Sequence, residues 1–144
     1  MKLRTSVVVL TALFGFNAAA VARVGEDEKQ IEARYGKPQK TFSEKGKFRD
    51  VGYAFEGFVL AVTFIDGISR REGFALPNQT PMTDDSVKKI LAVSAGEGAT
   101  WQEVAPQDGA RFWRRSDGAA VAVLEADQKL LSIQDGKFED PPAP

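Results

Sequence analysis

The residues best suited to bind a partner lie in the stretch RFWRR, residues 111–115. Successive side chains of a β-strand point to opposite faces, so Arg111, Trp113 and Arg115 are predicted to share one face. Tryptophan and arginine often dominate the energetics of protein–protein interfaces. Together with Arg70, these residues form the predicted binding site, on a sheet face open to solvent. In the alternative interpretation, the arginines stack on Trp113 and only cover the sheet.

The chain offers few groups for catalysis because it contains neither cysteine nor histidine. Thiolate nucleophiles, Ser-His-Asp triads and zinc sites built from cysteine and histidine are therefore excluded. The carboxylates have structural explanations: Asp84 and Asp85 suit the start of a helix, and Asp66 and Asp117 suit turns. We predict that the protein is not an enzyme and that it uses no metal and no cofactor.

The charge balance gives no argument for binding a polyanion. Lysine and arginine number 19, aspartate and glutamate number 20, and the formal net charge is −1. A domain that binds nucleic acid by electrostatics is usually strongly basic. We therefore predict no nucleic-acid partner.

The N-terminus has the three parts of a secretory signal peptide. MKLR is basic, TSVVVLTALFGF is apolar but too short to span a bilayer comfortably, and NAAAVA offers the small residues of a cleavage site. We predict a signal peptide over residues 1–22, cut after Ala22. The mature protein is then periplasmic or secreted, with no integral membrane segment.

The elements that position these residues are predicted to occur twice. Sliding the chain against itself by 59 residues aligns Ile31 with Ile90 and Thr41 with Thr100, and it also aligns Tyr53 with Phe112. Such self-similarity is the signature of a repeat. We predict one domain over residues 23–138, made of two repeats at about 24–80 and 83–138, followed by a flexible tail over 139–144.

Each repeat is predicted to contain one helix followed by about four antiparallel strands. Gly36 and Pro38 end the first helix, and the dipeptides Glu56-Gly57 and Asp66-Gly67 are typical of hairpin turns. The alternation of side chains places one aromatic face against the helices: Tyr53, Phe55, Phe58, Leu60, Val62 and Phe64. The opposite, open face is predicted to hold Ala54, Val59, Ala61, Thr63 and Ile65, and on the next strand Ile68, Arg70, Glu72 and Phe74.

The predicted fold class is therefore α+β: two tandem units of one helix and about four strands, with the helices on one face of a meander sheet. Tyr35-Gly36-Lys37-Pro38 and the hairpin VTFIDGIS, residues 62–69, resemble the fold of the β-lactamase inhibitor protein and of the SmpA/OmlA small lipoprotein family. Those families act by binding proteins, one through a concave sheet. This chain lacks the cysteine that anchors a lipoprotein and the disulfides of the inhibitor.

The function predicted from the sequence is an exported, non-enzymatic protein-binding module of the cell envelope or secreted fraction, binding through the open sheet face. The identity of the protein partner is not predicted. One alternative is a carrier of a small apolar ligand or lipid, held between the helices and the aromatic sheet face. An empty or solvent-accessible cavity lined by Tyr53, Phe55 and Phe64 would favour this alternative. A third is a hydrolase that uses carboxylates alone, which requires a cleft with two facing carboxylates, one of raised pKa.

Overall fold

A computed structural model describes residues 24–140 of the chain. The predicted signal peptide lies outside the described residues, as do residues 141–144 of the predicted tail. Two short helices accompany eight strands. In chain order the elements are α1 (Glu28–Tyr35), β1 (Lys40–Lys45), β2 (Phe48–Phe55), β3 (Phe58–Ile65), β4 (Ile68–Ala75), α2 (Asp84–Ser94), β5 (Trp101–Gln107), β6 (Ala110–Arg115), β7 (Ala120–Leu124) and β8 (Leu131–Asp135).

The eight strands form one antiparallel sheet, and this corrects the predicted fold class. The strand order is β1-β2-β3-β4-β8-β7-β6-β5, so the two halves of the chain join through β4 and β8. The prediction of two tandem helix-and-strand units on a meander sheet is wrong, because the chain folds as one continuous eight-stranded sheet with only two short helices. The helices are minor elements of 8 and 11 residues beside this sheet.

Both helices begin after a residue whose side chain caps the first turn, and α1 ends at a glycine. Asp27 caps α1 by accepting a hydrogen bond from the backbone of Gln30, whose side chain accepts one from Asp27 in return. Gly36 follows α1 with φ of 83°, a conformation that favours glycine. The hydroxyl of Thr83 caps α2 through the backbone of Ser86.

The tight turns predicted in the first half are confirmed. Strand β2 ends at Phe55 and β3 begins at Phe58, which leaves Glu56 and Gly57 as the two-residue loop. Strands β3 and β4 are likewise joined by Asp66 and Gly67. All four loop residues have positive φ, the geometry of the hairpin turn that matches the twist of the strands.

The hydrophobic core lies between the helices and one face of the sheet. The predicted aromatic face of β2 and β3 is confirmed, since Tyr53, Leu60 and Phe64 are buried in this core together with Ile31 and Tyr35 of α1. Phe55 packs against the same cluster. This part of the core is filled by the protein's own side chains, which opposes a ligand carrier whose cavity lies beside Tyr53, Phe55 and Phe64.

A β-bulge corrects the predicted face of β4. Phe64 is paired with Ser69 but Thr63 is paired with Arg71, so Arg70 is the extra residue. An extra residue moves every later side chain to the other face. Glu72 and Phe74, predicted on the open face, are therefore completely buried on the core face.

Candidate functional site

The stretch RFWRR lies on β6, and its alternate residues face the helices rather than solvent. Trp113 is 5% exposed and belongs to the hydrophobic core. Arg111 stacks over the Trp113 ring, with 4.9 Å between the guanidinium carbon and the ring centroid. The shared face of Arg111, Trp113 and Arg115 is thus as predicted, but it is the covered face of the sheet and not the open one.

Arg111 ties β6 to the first residue of α2. Its Nη1 lies 2.7 Å from Oδ1 of Asp84, and its Nε donates to Glu103 on β5 at 2.8 Å. These hydrogen bonds from Arg111 lower the pKa of the Glu103 carboxyl. Arg111 therefore forms ion pairs with two carboxylates of its own chain.

Arg115 lies at the other end of the same helix. It is 4% exposed, its Nε donates to Asp117 at 2.9 Å, and its Nη1 lies 3.5 Å from the carbonyl oxygen of Ser94, the last residue of α2. The hydrogen bond from Arg115, with one from the backbone of Ala119, lowers the pKa of Asp117. A cation beside the last carbonyls of a helix also interacts favourably with its dipole.

The two arginines therefore hold both ends of α2, with Trp113 beneath its middle. Ten residue steps of α2 span about 15 Å, and the four steps from Arg111 to Arg115 span about 13 Å. Because these two lengths are similar, side chains of one strand can contact both ends of the helix. This placement gives RFWRR a structural role, and its role in partner binding stays a prediction that the structure does not favour.

Arg70 lies apart from Trp113 but comes close to Arg115. The bulge directs Arg70 toward β8, where its Nη1 contacts Oδ2 of Asp135 at 2.7 Å. Arg70 and Arg115 line one cleft of about 500 Å³, together with Lys137. The four predicted site residues thus divide into two places: Arg111 with Trp113, and Arg70 with Arg115.

The sheet face opposite the core is not covered by either of the two described helices. Along each strand, the side chains of this face alternate with those of the core. Residues that are paired between neighbouring strands lie next to each other on this face. Phe42 of β1 lies over Gly52, where an added Cβ would be 2.8 Å from the ring. Directly paired residues form one row across all eight strands: Lys40, Gly52, Ala61, Gly73, Ser132, Val123, Phe112 and Val104. We call this surface the uncovered face.

Three large apolar side chains of the described residues are conspicuously exposed, and all three lie on the uncovered face. They are Phe42 at 55%, Val59 at 42% and Val104 at 40% exposed. The sequence reasoning named Val59 but missed Phe42, Phe112 and Val104 as surface residues. The strand alternation of β6 contains the signal for Phe112, because a core position for Trp113 places its neighbour on the other side.

The charges within the strands of the uncovered face are mainly positive. Lys40, Lys45, Arg71 and Arg114 lie on this face by register. Its one strand carboxylate among the described residues, Asp50, accepts hydrogen bonds from neighbouring Ser43 and Thr63 at 2.7 Å each.

One carboxylate has a strongly raised pKa, but it does not line a site. Burial raises the pKa of Glu72 to about 7, although a hydrogen bond from Tyr35 at 3.1 Å acts in the opposite direction. Glu72 is completely buried, and the nearby Glu26 is ion-paired with Arg34. A buried carboxyl without access to substrate offers no support for the hydrolase alternative, which stays untested.

Comparisons with known proteins establish no family. No family model matches the chain, and no curated protein matches it. A cysteine-rich secretory protein from Staphylococcus aureus subsp. aureus Mu50 has 10% identity and a TM-score of 0.46, over 79% of this chain and 45% of that one. An extracellular protein containing a SCP domain from Bacillus anthracis str. Ames has 12% identity and a TM-score of 0.44, over 94% of this chain and 50% of that one.

This chain spans about half the length of each of these two structures. With identities and TM-scores this low, the similarities carry no argument about fold or function. Separately, no helix within residues 24–140 is long and apolar enough to cross a membrane.

Proposed function

We propose that the chain is an exported, non-enzymatic module that binds a protein partner through the uncovered face. The observation that carries this proposal is the position of Phe42, Val59 and Val104, the exposed large apolar side chains, on that one face. Apolar surface that the protein leaves uncovered often marks a site of interaction. Export itself rests on the N-terminal sequence pattern, and the resemblance to the β-lactamase inhibitor protein also implies binding through a sheet.

The chemistry of the uncovered face indicates what kind of protein surface would fit it. The smallest side chains of the row, Gly52, Ala61 and Gly73, lie between Phe42 at one edge and Phe112 with Val104 at the other. Lysine and arginine side chains surround these apolar positions. We therefore propose a partner whose contact surface is apolar at its centre and acidic at its rim.

The sheet edges are less suited to binding than the face. Both edge strands contain a bulge, between Thr41 and Ser43 in β1 and between Val104 and Gln107 in β5. Pro106 also removes one hydrogen-bond donor from β5. Bulges and proline at edges hinder the addition of a further strand, which favours binding across the face.

The test is co-purification with proteins of the cell envelope and the secreted fraction, using variants that change the uncovered face without touching the core. The first variant combines Val59→Thr with Val104→Thr, which removes apolar surface at nearly constant shape and strand propensity. The second is Arg114→Glu, since Arg114 has no ion-pair partner among residues 24–140. Lys29→Glu on α1 is the matched control, because it makes the same charge change on the helix side.

We expect a partner that binds wild type and Lys29→Glu equally but loses affinity for both variants of the uncovered face. Loss of a rim charge should also make association less dependent on salt concentration. A partner that binds all four proteins equally would show that the protein is a binding module with its site elsewhere. Failure of wild type to retain any protein would contradict the proposed function.

A further inference from the structure

A second cleft lies on the helix side of the sheet, between α2 and the strands β5 and β6. Its volume is about 580 Å³, within the range of small-molecule sites. Helix α2 contributes Lys88, Leu91 and Ala92, and Ala95 follows its last residue; these four have the spacing of one helix face. The opposite wall includes Trp101 and Trp113. The cleft is distinct from the uncovered face, and the inference below does not depend on the proposed function.

The walls of this cleft suit a flat apolar group. Two indole rings lie on the sheet side, and the opposite wall includes the small side chains of Ala92 and Ala95. Stacking between aromatic rings is favourable beyond the burial of their area. Trp113 is fixed in the core and Arg115 lies 6.0 Å from the ring centroid of Trp101, so both rings are held in place by the fold.

The charged groups that line the cleft favour a negatively charged ligand. Lys88 lines the cleft and has no carboxylate partner among residues 24–140. The other charged residue of the lining, Glu103, is already bonded to Arg111 through both its oxygens. Of the charged residues that line the cleft, only Lys88 therefore has no partner among the described residues.

The indole of Trp101 adds a hydrogen-bond donor. Its Nε1 is buried and has no acceptor among the described residues. A buried N–H without an acceptor is unfavourable. A ligand oxygen that accepted a hydrogen bond from this N–H would remove that cost.

We propose that the cleft between α2 and β5 binds a small aromatic carboxylate, with its ring against Trp101 and its carboxylate on Lys88. The site also gives a direct optical signal, because the chain contains two tryptophans and both line the cleft. Tryptophan emission of the whole protein consequently reports on this site alone.

The experiment is a titration of the purified protein with phenylpropanoate, followed by tryptophan emission and checked by calorimetry. Phenylpropanol, which has the same ring and chain length without the charge, is the matched ligand. Lys88→Gln removes the proposed ion pair, and Lys89→Gln is the matched variant because Lys89 points to Glu56, at 2.5 Å, and does not line the cleft. Ala92→Phe fills the cleft from the helix.

We expect phenylpropanoate to give a saturable change in emission with wild type and with Lys89→Gln. Lys88→Gln should bind it about two- to fivefold more weakly, as for an exposed ion pair. Phenylpropanol should bind wild type and Lys88→Gln alike. Ala92→Phe should abolish the calorimetric signal for both ligands.

Three results would overturn the proposal. Absence of binding at millimolar phenylpropanoate would remove the site. Equal binding of phenylpropanoate to wild type and Lys88→Gln would show that Lys88 does not recognise the carboxylate, and would contradict the proposed ligand class. Undiminished binding by Ala92→Phe would move the ligand to another part of the protein. Because none of these variants lies on the uncovered face, each result is independent of the partner-binding test.

Discussion

At the scale of single residues, Glu72 is the least expected group in the structure. It lies on β4 inside the core, where Tyr35 of α1 donates to its Oε2 and its Oε1 has no partner among the described residues. Burial also raises the pKa of Tyr35, followed by the nearby charge of Glu72. The other charged groups near this pair are Arg34 and Glu26.

The buried carboxyl makes stability depend on pH. The pKa of Glu72 is about 7 in the folded protein against an ordinary value of 4.5, so folding favours the protonated form. The stability that neutral Glu72 provides is complete below about pH 4.5 and is lost progressively as the pH rises to about 7. Glu72→Gln stays neutral at every pH, so it should gain stability over wild type across this window.

The gain should reach roughly 3 kcal/mol between pH 4 and pH 8, the equivalent of the shift in pKa. Urea unfolding of both proteins at a series of pH values measures this difference directly. Glu32→Gln, which removes an exposed carboxyl from α1, is the control and should follow the wild-type profile. Parallel profiles for Glu72→Gln and wild type would show that folding does not shift the pKa of Glu72.

The burial of Trp113 leads to a second prediction at this scale. Trp113→Ala should lower the free energy of unfolding by about 3–5 kcal/mol, because it leaves a cavity beneath α2. Arg114→Ala, at the neighbouring exposed position, should change it by less than about 0.5 kcal/mol. Equal effects of the two substitutions in urea unfolding would mean that Trp113 is a surface residue, as the sequence suggested.

At the scale of elements, the helices depend on their caps because they are too short to be stable alone. Asp27→Ala removes the acceptor for the Gln30 backbone at the start of α1 and should cost about 1 kcal/mol. Asp27→Asn keeps an acceptor and should cost less than half of that. The midpoint of thermal unfolding distinguishes these variants, and an equal loss in both would assign the effect to charge rather than to capping.

The helices and strands also show which local sequence signals were sufficient to predict secondary structure. Local signals, such as Gly36 after α1 or the Asp66-Gly67 turn, predicted their elements because backbone conformation at these positions is decided by neighbouring residues. The bulge at Arg70 has no such local signal. It follows from pairing with β3, so the face of Glu72 and Phe74 could not be read from β4 itself.

For a related reason, the single offset of 59 residues does not keep every aligned pair on the same face of the sheet. It aligns Tyr53 with Phe112, yet Tyr53 lies in the core and Phe112 on the uncovered face. Apolar residues alternate on both faces of this sheet, so a shift of one position still aligns apolar with apolar. The predicted binding site is on the wrong face for the same reason, because the alignment predicts that Trp113 is exposed to solvent.

At the scale of the whole molecule, the joined sheet means that neither half should fold alone. Strand β4 is paired with β8, and Phe74 and Leu131 are buried at this junction. Fragments 24–80 and 81–140 made separately should each lack cooperative unfolding, and mixing them should restore it. Circular dichroism during thermal unfolding measures this. A fragment that unfolds cooperatively by itself would show that the sheet is divisible.

The distribution of aromatic residues over the joined sheet has a consequence for spectroscopy. Both tyrosines of the chain, Tyr35 and Tyr53, pack together at α1 in the first half, with ring centroids 6.2 Å apart. Both tryptophans lie at α2 in the second half. The tyrosine and tryptophan bands of the near-ultraviolet spectrum are thus separate natural labels for the two ends of the sheet. The thermal unfolding curves of the two bands should coincide. A difference between their midpoint temperatures would show that one end of the sheet unfolds before the other.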